Sequence, residues 1–523
     1  MGKDSLKRTL FIASLCATAF SLPLSVWLLS VFTILSVLIR LLTWTNIRET
    51  FRLRKKSDLL IFFTAYLVYL LWMPGTSDMV FGLSELRIKL PLIVFPLILG
   101  FSEPVRKDEI KLIITAFITG IIVSSVAGTI SGAHEVFKGL ADTRSFSPYI
   151  SHIRLSLMLV FGIFSSGWYL FGKGEKGLWK LFFILSACWM IIFLFLLMSL
   201  TGIFIFMFIM VITAVSIVFR KASPLIKWMV PALILAFGLF IFLLIKREVR
   251  AFYTPHTISA VLPVKTQGGN PYWNDSTRND IENGNRVWEL ICEPELKKEW
   301  GNRSSLPYDS LDLRGQELKA TLIRYLASAG LPRDSAGLWT LKPADVKNIE
   351  HGISNILFSE WGPWKRKTYE LIWQVDYYRK GGNPSGHSIT QRLEYLQAGW
   401  QIFTGNPVFG TGTGDISKEY AEWYEKNNSK LSPAYRLLCH NQFLTFLVSF
   451  GITGASVICF ALAFPFFSRK RYRDYLPLVF TVIIFISMLT EDTLETHTGI
   501  SFFAFFYSLL IFGYDDDPKT SET

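Results

Sequence analysis

The chain has 523 residues, enough for two or three soluble domains, yet 51% hydrophobic content, 44 Phe and a mean hydropathy of +0.36 point to a membrane protein. A formal net charge of +12 raises the question of nucleic acid, but the basic residues fall in short clusters between apolar runs, the pattern of juxtamembrane loops. Nucleic acid is a poor partner for such a chain, and five cysteines without a paired spacing give neither a disulfide framework nor a Cys-based metal site.

Lys3, Lys7 and Arg8 precede the first apolar run as in a signal peptide, but a second run follows at once and no clear small-x-small cleavage site separates them, so the first reads as a retained helix. A hydrocarbon core of about 30 Å needs about 20 apolar residues per helix. Runs of this kind occupy 8–22, 24–43, 58–73, 88–102, 110–131, 152–171, 179–198, 201–219, 226–246, 440–467, 475–490 and 498–513, twelve in all. The run at 88–102 is short and contains Pro91 and Pro96.

Lys and Arg crowd into alternate loops, among them Arg48-Arg52-Arg54-Lys55-Lys56, Arg106-Lys107-Lys111, Lys173-Lys176-Lys180, Arg220-Lys221-Lys227 and Arg469-Lys470-Arg471-Arg473. The other short loops hold only Arg87, Lys138, Arg144 and Arg154. By the positive-inside rule this predicts twelve spans with both termini in the cytoplasm. The expected fold is an all-α integral membrane protein with one large, mainly helical periplasmic insertion. Its regions are 1–246 (about nine transmembrane helices), 247–439 (periplasmic domain) and 440–523 (about three helices).

Within the insertion, TQGGNPYWNDSTRNDIENGNR is turn-rich and reads as loop, GQELKATLIRYLASAG predicts a helix closed by Gly330, and KPADVKNIEHGI one starting near Pro343. Ser388 with Gln391 forms a capping-box pattern for a helix whose Ile389, Leu393, Leu396, Trp400 and Phe403 share a face. Gly405, Asn406 and Pro407 end it, the glycine-rich turn GTGTG spans Gly410 to Gly414, and a polar helix follows from about Ser417 to Lys426. GTGTG lacks the Lys-Ser/Thr of a nucleotide-binding loop and reads as a flexible turn whose backbone can approach a glycan.

All seven histidines fall on the outward side of this topology. His440, followed by Asn441 and an apolar run, is expected in the first helical turn, where the helix dipole favours the neutral imidazole of a general base. Its competing role is that of an interfacial residue. Arg392 lies early in the amphipathic helix and offers a fork suited to phosphate, against the alternative of a solvated surface arginine. His152 and Arg154 open the sixth span, where Arg154 either snorkels to headgroups or holds an anionic lipid-linked substrate. Glu491, Asp492, Glu495 and His497 gather between the last two spans; such a cluster could bind a divalent metal, a hydrated loop explains it equally well, and the carboxylates could instead pair with the arginines and orient them.

The stretches RLEYLQAGWQIFTGNPVFGTGTGD and CHNQFLTFLVSFGITG resemble the O-antigen ligase and polymerase superfamily of bacterial envelope membrane glycosyltransferases. The shared pattern is an Arg, a Trp-containing helix, Asn/His-Pro with a G-x-G turn, and His-Asn before a span with Gly-x-x-Gly. The resemblance implies a GT-C-like fold in the inner membrane and inverting, metal-independent transfer of a glycan from undecaprenyl pyrophosphate, with no cofactor. It implies His440 as the catalytic base and Arg392, with Arg154, as pyrophosphate-binding residues, with Asn441 and His152 in support. O-antigen ligation to lipid A-core leads. A polysaccharide polymerase and a protein O-oligosaccharyltransferase share the motifs, and a transporter of lipid-linked glycan is the rival from another class. The insertion from Gly268 to Trp361 matches no motif of the superfamily.

Overall fold

In a computed structural model, the protein is described at residues 3–43, 56–137, 143–172, 176–221, 224–254, 262–275, 278, 280–358 and 362–514. Arg48, Arg52, Arg54, Lys55, Lys138, Lys173, His256 and Trp361, which entered the sequence reading, lie outside these residues. Two compact units divide the chain: residues 1–134, 143–214 and 392–523 form the first, and residues 135–142 and 215–391 the second.

Every apolar run folds as helix. The first nine runs give α1 (Lys3–Ser21), α2 (Val26–Thr43), α3 (Lys56–Leu71), α4 (Met79–Lys89), α5 (Pro91–Gly100), α6 (Lys107–Phe137), α7 (His152–Phe171), α8 (Leu178–Leu196), α9 (Leu200–Lys221) and α10 (Pro224–Tyr253). The run at 88–102 is divided between α4 and α5, because Pro91 at the first position of α5 has no N–H to continue the preceding helix.

Among the described residues four helices are long and apolar enough to cross a membrane, Lys107–His134, His152–Phe171, Leu178–Leu196 and Gln442–Ser468, and shorter apolar helices accompany them. The protein is thus an all-α membrane protein. Leu178, Leu181, Leu185 and Ile192 of α8 are exposed together, a stripe suited to lipid contact, while Phe183, Met190 and Phe193 of the same helix are buried. Phenylalanine fills the first unit: Phe117 and Phe506 lie 4.7 Å apart, Phe161 and Phe506 4.8 Å, and Phe480 and Phe502 5.4 Å, mostly edge to face.

The second unit is a small helical domain. Its helices are α10, α11 (Glu293–Trp300), α12 (Leu318–Ser328), α13 (Ser335–Thr340), α14 (Pro343–Glu350) and α15 (Pro363–Arg379). Trp300, Leu322, Tyr325, Leu326, Leu338 and Ile349 form its core. Gly330 closes α12 at φ +70°, a left-handed conformation that suits glycine, and Pro343 opens α14, both as the sequence predicts. The segment read as loop contains one short ladder: β1 (Ile281–Glu282) pairs antiparallel with β2 (Asn285–Arg286) across Asn283-Gly284, both at positive φ, the asparagine-glycine hairpin turn.

Five more helices follow among the described residues: α16 (Ser388–Gly405), α17 (Ile416–Lys426), α18 (Gln442–Ser468), α19 (Tyr475–Thr490) and α20 (His497–Tyr507), the last continuing into a wider turn at Ser508–Gly513. The face of α16 that reads as apolar is only partly buried, at Phe403 and in part at Ile389. Leu393, Leu396 and Trp400 are exposed, whereas Tyr395, Ala398 and Ile402 pack with Tyr420 and Tyr424 of α17. The Ser388–Gln391 capping box is also absent. Helix α16 starts at Ser388 itself, the Gln391 backbone N–H bonds to His387, and Gln391 Nε2 is buried without a partner.

Candidate active site

Helix α18 begins at Gln442, two residues after His440. Asn441 is its N-cap, with its side-chain oxygen accepting from Leu444 N at 3.0 Å, and His440 precedes the cap in a left-handed conformation, φ +49°. The expected placement of His440 in the first turn is therefore corrected: it lies just before the N-cap. Asn441 does not orient the imidazole: its amide nitrogen donates to Leu489 O at 2.9 Å. The unusual backbone of His440 is held by its N–H, which donates to Asp492 Oδ2 at 3.0 Å.

Glu491 ends α19 and is 1% exposed. Arg392 of α16 donates Nη2 to Glu491 Oε1, and Arg154 of α7 brings Nη1 to within 3.4 Å of Oε2. His440 Nδ1 lies 3.4 Å from the same Oε2 and 4.0 Å from Asp492 Oδ2. One buried carboxylate thus gathers three of the residues singled out in the sequence, from helices far apart in the chain. Arg154 also donates Nη2 to the Asp492 carbonyl at 2.9 Å, and it is buried rather than reaching outward as a snorkelling side chain would. Arg392 is 36% exposed, and the His440 side chain 30%. His152 starts α7 two residues before Arg154.

Burial pushes the Glu491 carboxyl up, but His440, Arg392 and Arg154 outweigh it and hold the group below the ordinary carboxylate value. Asp492 moves the other way. Burial raises it, and its hydrogen bond from Thr445 and the proximity of His440 do not compensate. Adjacent carboxyl groups are in this way separated in acidity, Glu491 as a fixed anion and Asp492 as the weaker acid.

A second set of contacts holds the same turn. Lys89, at the end of α4, is fully buried, 2.5 Å from Glu495 Oε2 and 3.2 Å from Glu85, and it donates to Leu494 O at 2.7 Å. Gln442 donates to Glu495 Oε1 at 2.5 Å and accepts from Leu494 N at 2.7 Å. Neither Lys89 nor Gln442 stands out in the sequence. The only available signal was a lysine at the edge of a proline-interrupted apolar run.

The glycine-rich turn is docked rather than flexible. Helix α18 is interrupted at Gly451 (φ 62°, ψ −171°), and the loop before α17 repairs the break. Thr411 N and Gly412 N donate to the Val448 and Ser449 carbonyls, both at 2.9 Å, while Ile452 N donates to Pro407 O at 2.8 Å. This satisfies backbone groups that an apolar surrounding would otherwise leave unpaired. Contact of backbone on backbone explains both glycines: a Cβ on Gly410 would lie 2.5 Å from Gly451 N, and one on Gly451 2.2 Å from Val408 O. Trp72 Nε1 to Phe409 O at 2.6 Å and Asp415 accepting from Ser77 and Asp78 fasten the loop to the segment after α3.

Residues 352–459 match the family model described as O-Antigen ligase. No curated protein matches the chain. The matched segment contains Arg392, the docked loop, His440 and the broken part of α18, whereas Arg154, Glu491 and Asp492 lie outside it and reach it through the contacts above. In that segment the chain is similar to the O-antigen ligase family.

Proposed function

We propose that this protein transfers a glycan from an undecaprenyl-pyrophosphate carrier to an acceptor on the periplasmic face of the bacterial inner membrane, with lipid A-core as the acceptor. The match of residues 352–459 to the O-antigen ligase family supports glycan transfer of the ligase or polymerase type. The observation that carries the site is the convergence of Arg154, Arg392 and His440 on Glu491.

Nδ1 of His440 faces two carboxylates and keeps its proton, which leaves Nε2 with a free lone pair. An acceptor hydroxyl gives its proton to Nε2 as its oxygen attacks the anomeric carbon. The bond from that carbon to the pyrophosphate oxygen breaks, the configuration inverts, and undecaprenyl pyrophosphate departs. Glu491 stabilises the imidazolium that forms, as the carboxylate of a Ser-His-Asp triad does. Arg392, with part of its fork exposed, faces the pyrophosphate and offsets its developing charge. Arg154 is buried, so it holds the turn at 491–492 and adds positive field without taking the substrate's phosphate as a surface ligand. On this reading the twelve helical runs are twelve spans, both termini are cytoplasmic, and residues 247–439 are periplasmic.

Purified protein given lipid-linked oligosaccharide and lipid A-core yields free undecaprenyl pyrophosphate and a new glycoside. His440→Ala abolishes both products while the protein still inserts in the membrane; retained turnover refutes the base assignment. A transporter moves the lipid and releases neither product. The envelope of a deletion strain separates the acceptors: core with accumulated polymer means ligase, core with a single repeat means polymerase, and normal lipopolysaccharide means another acceptor such as protein.

A further inference from the structure

The second unit contains a cleft of about 430 Å³ that no step of the transfer uses, within the size range of small-molecule sites. Trp273, Trp288, Trp373 and Tyr377 line it. Trp273 is 54% exposed, an unusual position for an indole unless its face meets something. The guanidinium of Arg278 stacks 3.4 Å from the centre of the Trp288 ring, and that of Arg324 lies 4.3 Å from Trp373, so two planar donor forks are fixed at the wall. Arg324 is also anchored by Glu282 at 2.6 Å, and the Trp288 indole donates to Asp280 at 2.5 Å.

The charges in the cleft balance. Arg278, Lys319 and Arg324 line it together with Asp280, Glu293 and Glu317. A phosphate or nucleotide site would carry an excess of positive charge, and a peptide-like apolar groove would have fewer polar groups. Aromatic faces beside many directional donors and acceptors at net neutrality suit a ligand with apolar C–H faces and a rim of hydroxyls. Sugar rings have that chemistry.

We infer that this cleft is a glycan-binding subsite, holding an uncharged stretch of sugar chain against Trp273. The inference rests on the reading of the protein as a glycan transferase, which supplies two sources of such a chain, the carrier-linked polysaccharide and the acceptor oligosaccharide. Trp273 contributes its ring to the cleft and its backbone to a bridge with Ile291 (N to O 2.8 Å), so the exposed side chain can be changed without losing the bridge.

The test is calorimetric titration of the full chain in lipid nanodiscs with two delipidated probes, polysaccharide released from lipopolysaccharide by mild acid and core oligosaccharide alone. The parent binds at least one, and the one bound identifies the source. Trp273→Ala weakens binding about ten-fold, Trp273→Phe restores most of it, and Trp339→Ala, which removes an equally exposed indole outside the cleft, binds as the parent does. Absence of binding to either probe, or equal affinity in Trp273→Ala, overturns the subsite. An equal loss in Trp339→Ala also overturns it, because the effect then belongs to any exposed indole and not to the cleft. Trp273-dependent binding without glycan transfer by the parent refutes the transferase reading alone, and transfer without Trp273-dependent binding refutes the subsite alone.

Discussion

At the scale of single residues, Glu491 decides what the other three side chains can do. Replacing it with Gln keeps the shape but removes the charge that Arg154, Arg392 and His440 share, leaving Arg154 buried beside a neutral amide. Glu491→Gln is expected to lower turnover by about 10²–10³-fold, the scale of losing one preorganised electrostatic group. Acid response separates it from its neighbour. Glu491 is held below its unfolded value, so the stability it contributes is present above the ordinary carboxylate range and is lost as pH falls through the lower folded value. Asp492 is raised, so its ionised form opposes folding, and that cost disappears as pH falls. Melting temperature followed against pH in detergent should therefore lose part of its acid-side decline in Glu491→Gln but not in Asp492→Asn; identical profiles contradict the split. Arg392→Lys, which keeps charge but not the fork, should lose most activity, and unchanged kinetics would return Arg392 to a surface role. Arg392 and His440 were legible because they stand in a recognisable order before and after a glycine-rich turn. The Glu491 cluster was visible as a cluster, with pairing to arginines as one of three readings beside a metal site and a hydrated loop. Lys89 and Gln442 were not legible, since nothing local distinguishes a buried ion pair from a lysine at a helix end.

At the scale of elements, hydropathy located the helices but not the break in α18, because Gly451 lies in an apolar run whose composition is the same whether the backbone is helical or not. The signal was present as two glycine motifs, and only the fold shows that they touch each other. Gly451→Ala places a Cβ on Val408 O and forces a positive φ on alanine. The strain alone is about 1–3 kcal/mol. The expected outcome is a lower melting temperature in detergent together with faster proteolysis in the loop at 407–415; an unshifted melting curve means that the loop is not clamped to the helix. Lys89→Met leaves Glu495 and Glu85 without their buried cation, and breaking a buried pair costs about 3–5 kcal/mol. Its loss should exceed that of Lys297→Met, whose exposed pair with Asp309 contributes little. The apolar stripe on α16 shows the same limit from the other side: periodicity finds a face, and whether that face meets protein or lipid depends on what packs nearby.

At the scale of the whole molecule, the count of spans hinges on α18, since a helix broken at Gly451 either crosses the membrane or turns back within it. Its 27 residues at ~1.5 Å each reach about 40 Å, more than the ~30 Å hydrocarbon core, so the break need not prevent crossing. The charge pattern favours crossing: His440 precedes α18 with few basic residues close by, and Arg469, Lys470, Arg471 and Arg473 follow it. A re-entrant α18 would put this basic cluster on the same side as the insertion and reverse α19 and α20. Reporter fusions distinguish the two. Alkaline phosphatase, active only outside the cytoplasm, should be active when fused after residue 300 and inactive after residue 473, and green fluorescent protein, which fluoresces only inside, should give the opposite pattern. Phosphatase activity at both positions would make α18 re-entrant and remove one span from the twelve. Either result leaves His440 and Glu491 in contact, because their separation is fixed by the hydrogen bond between His440 N and Asp492 and not by the number of crossings.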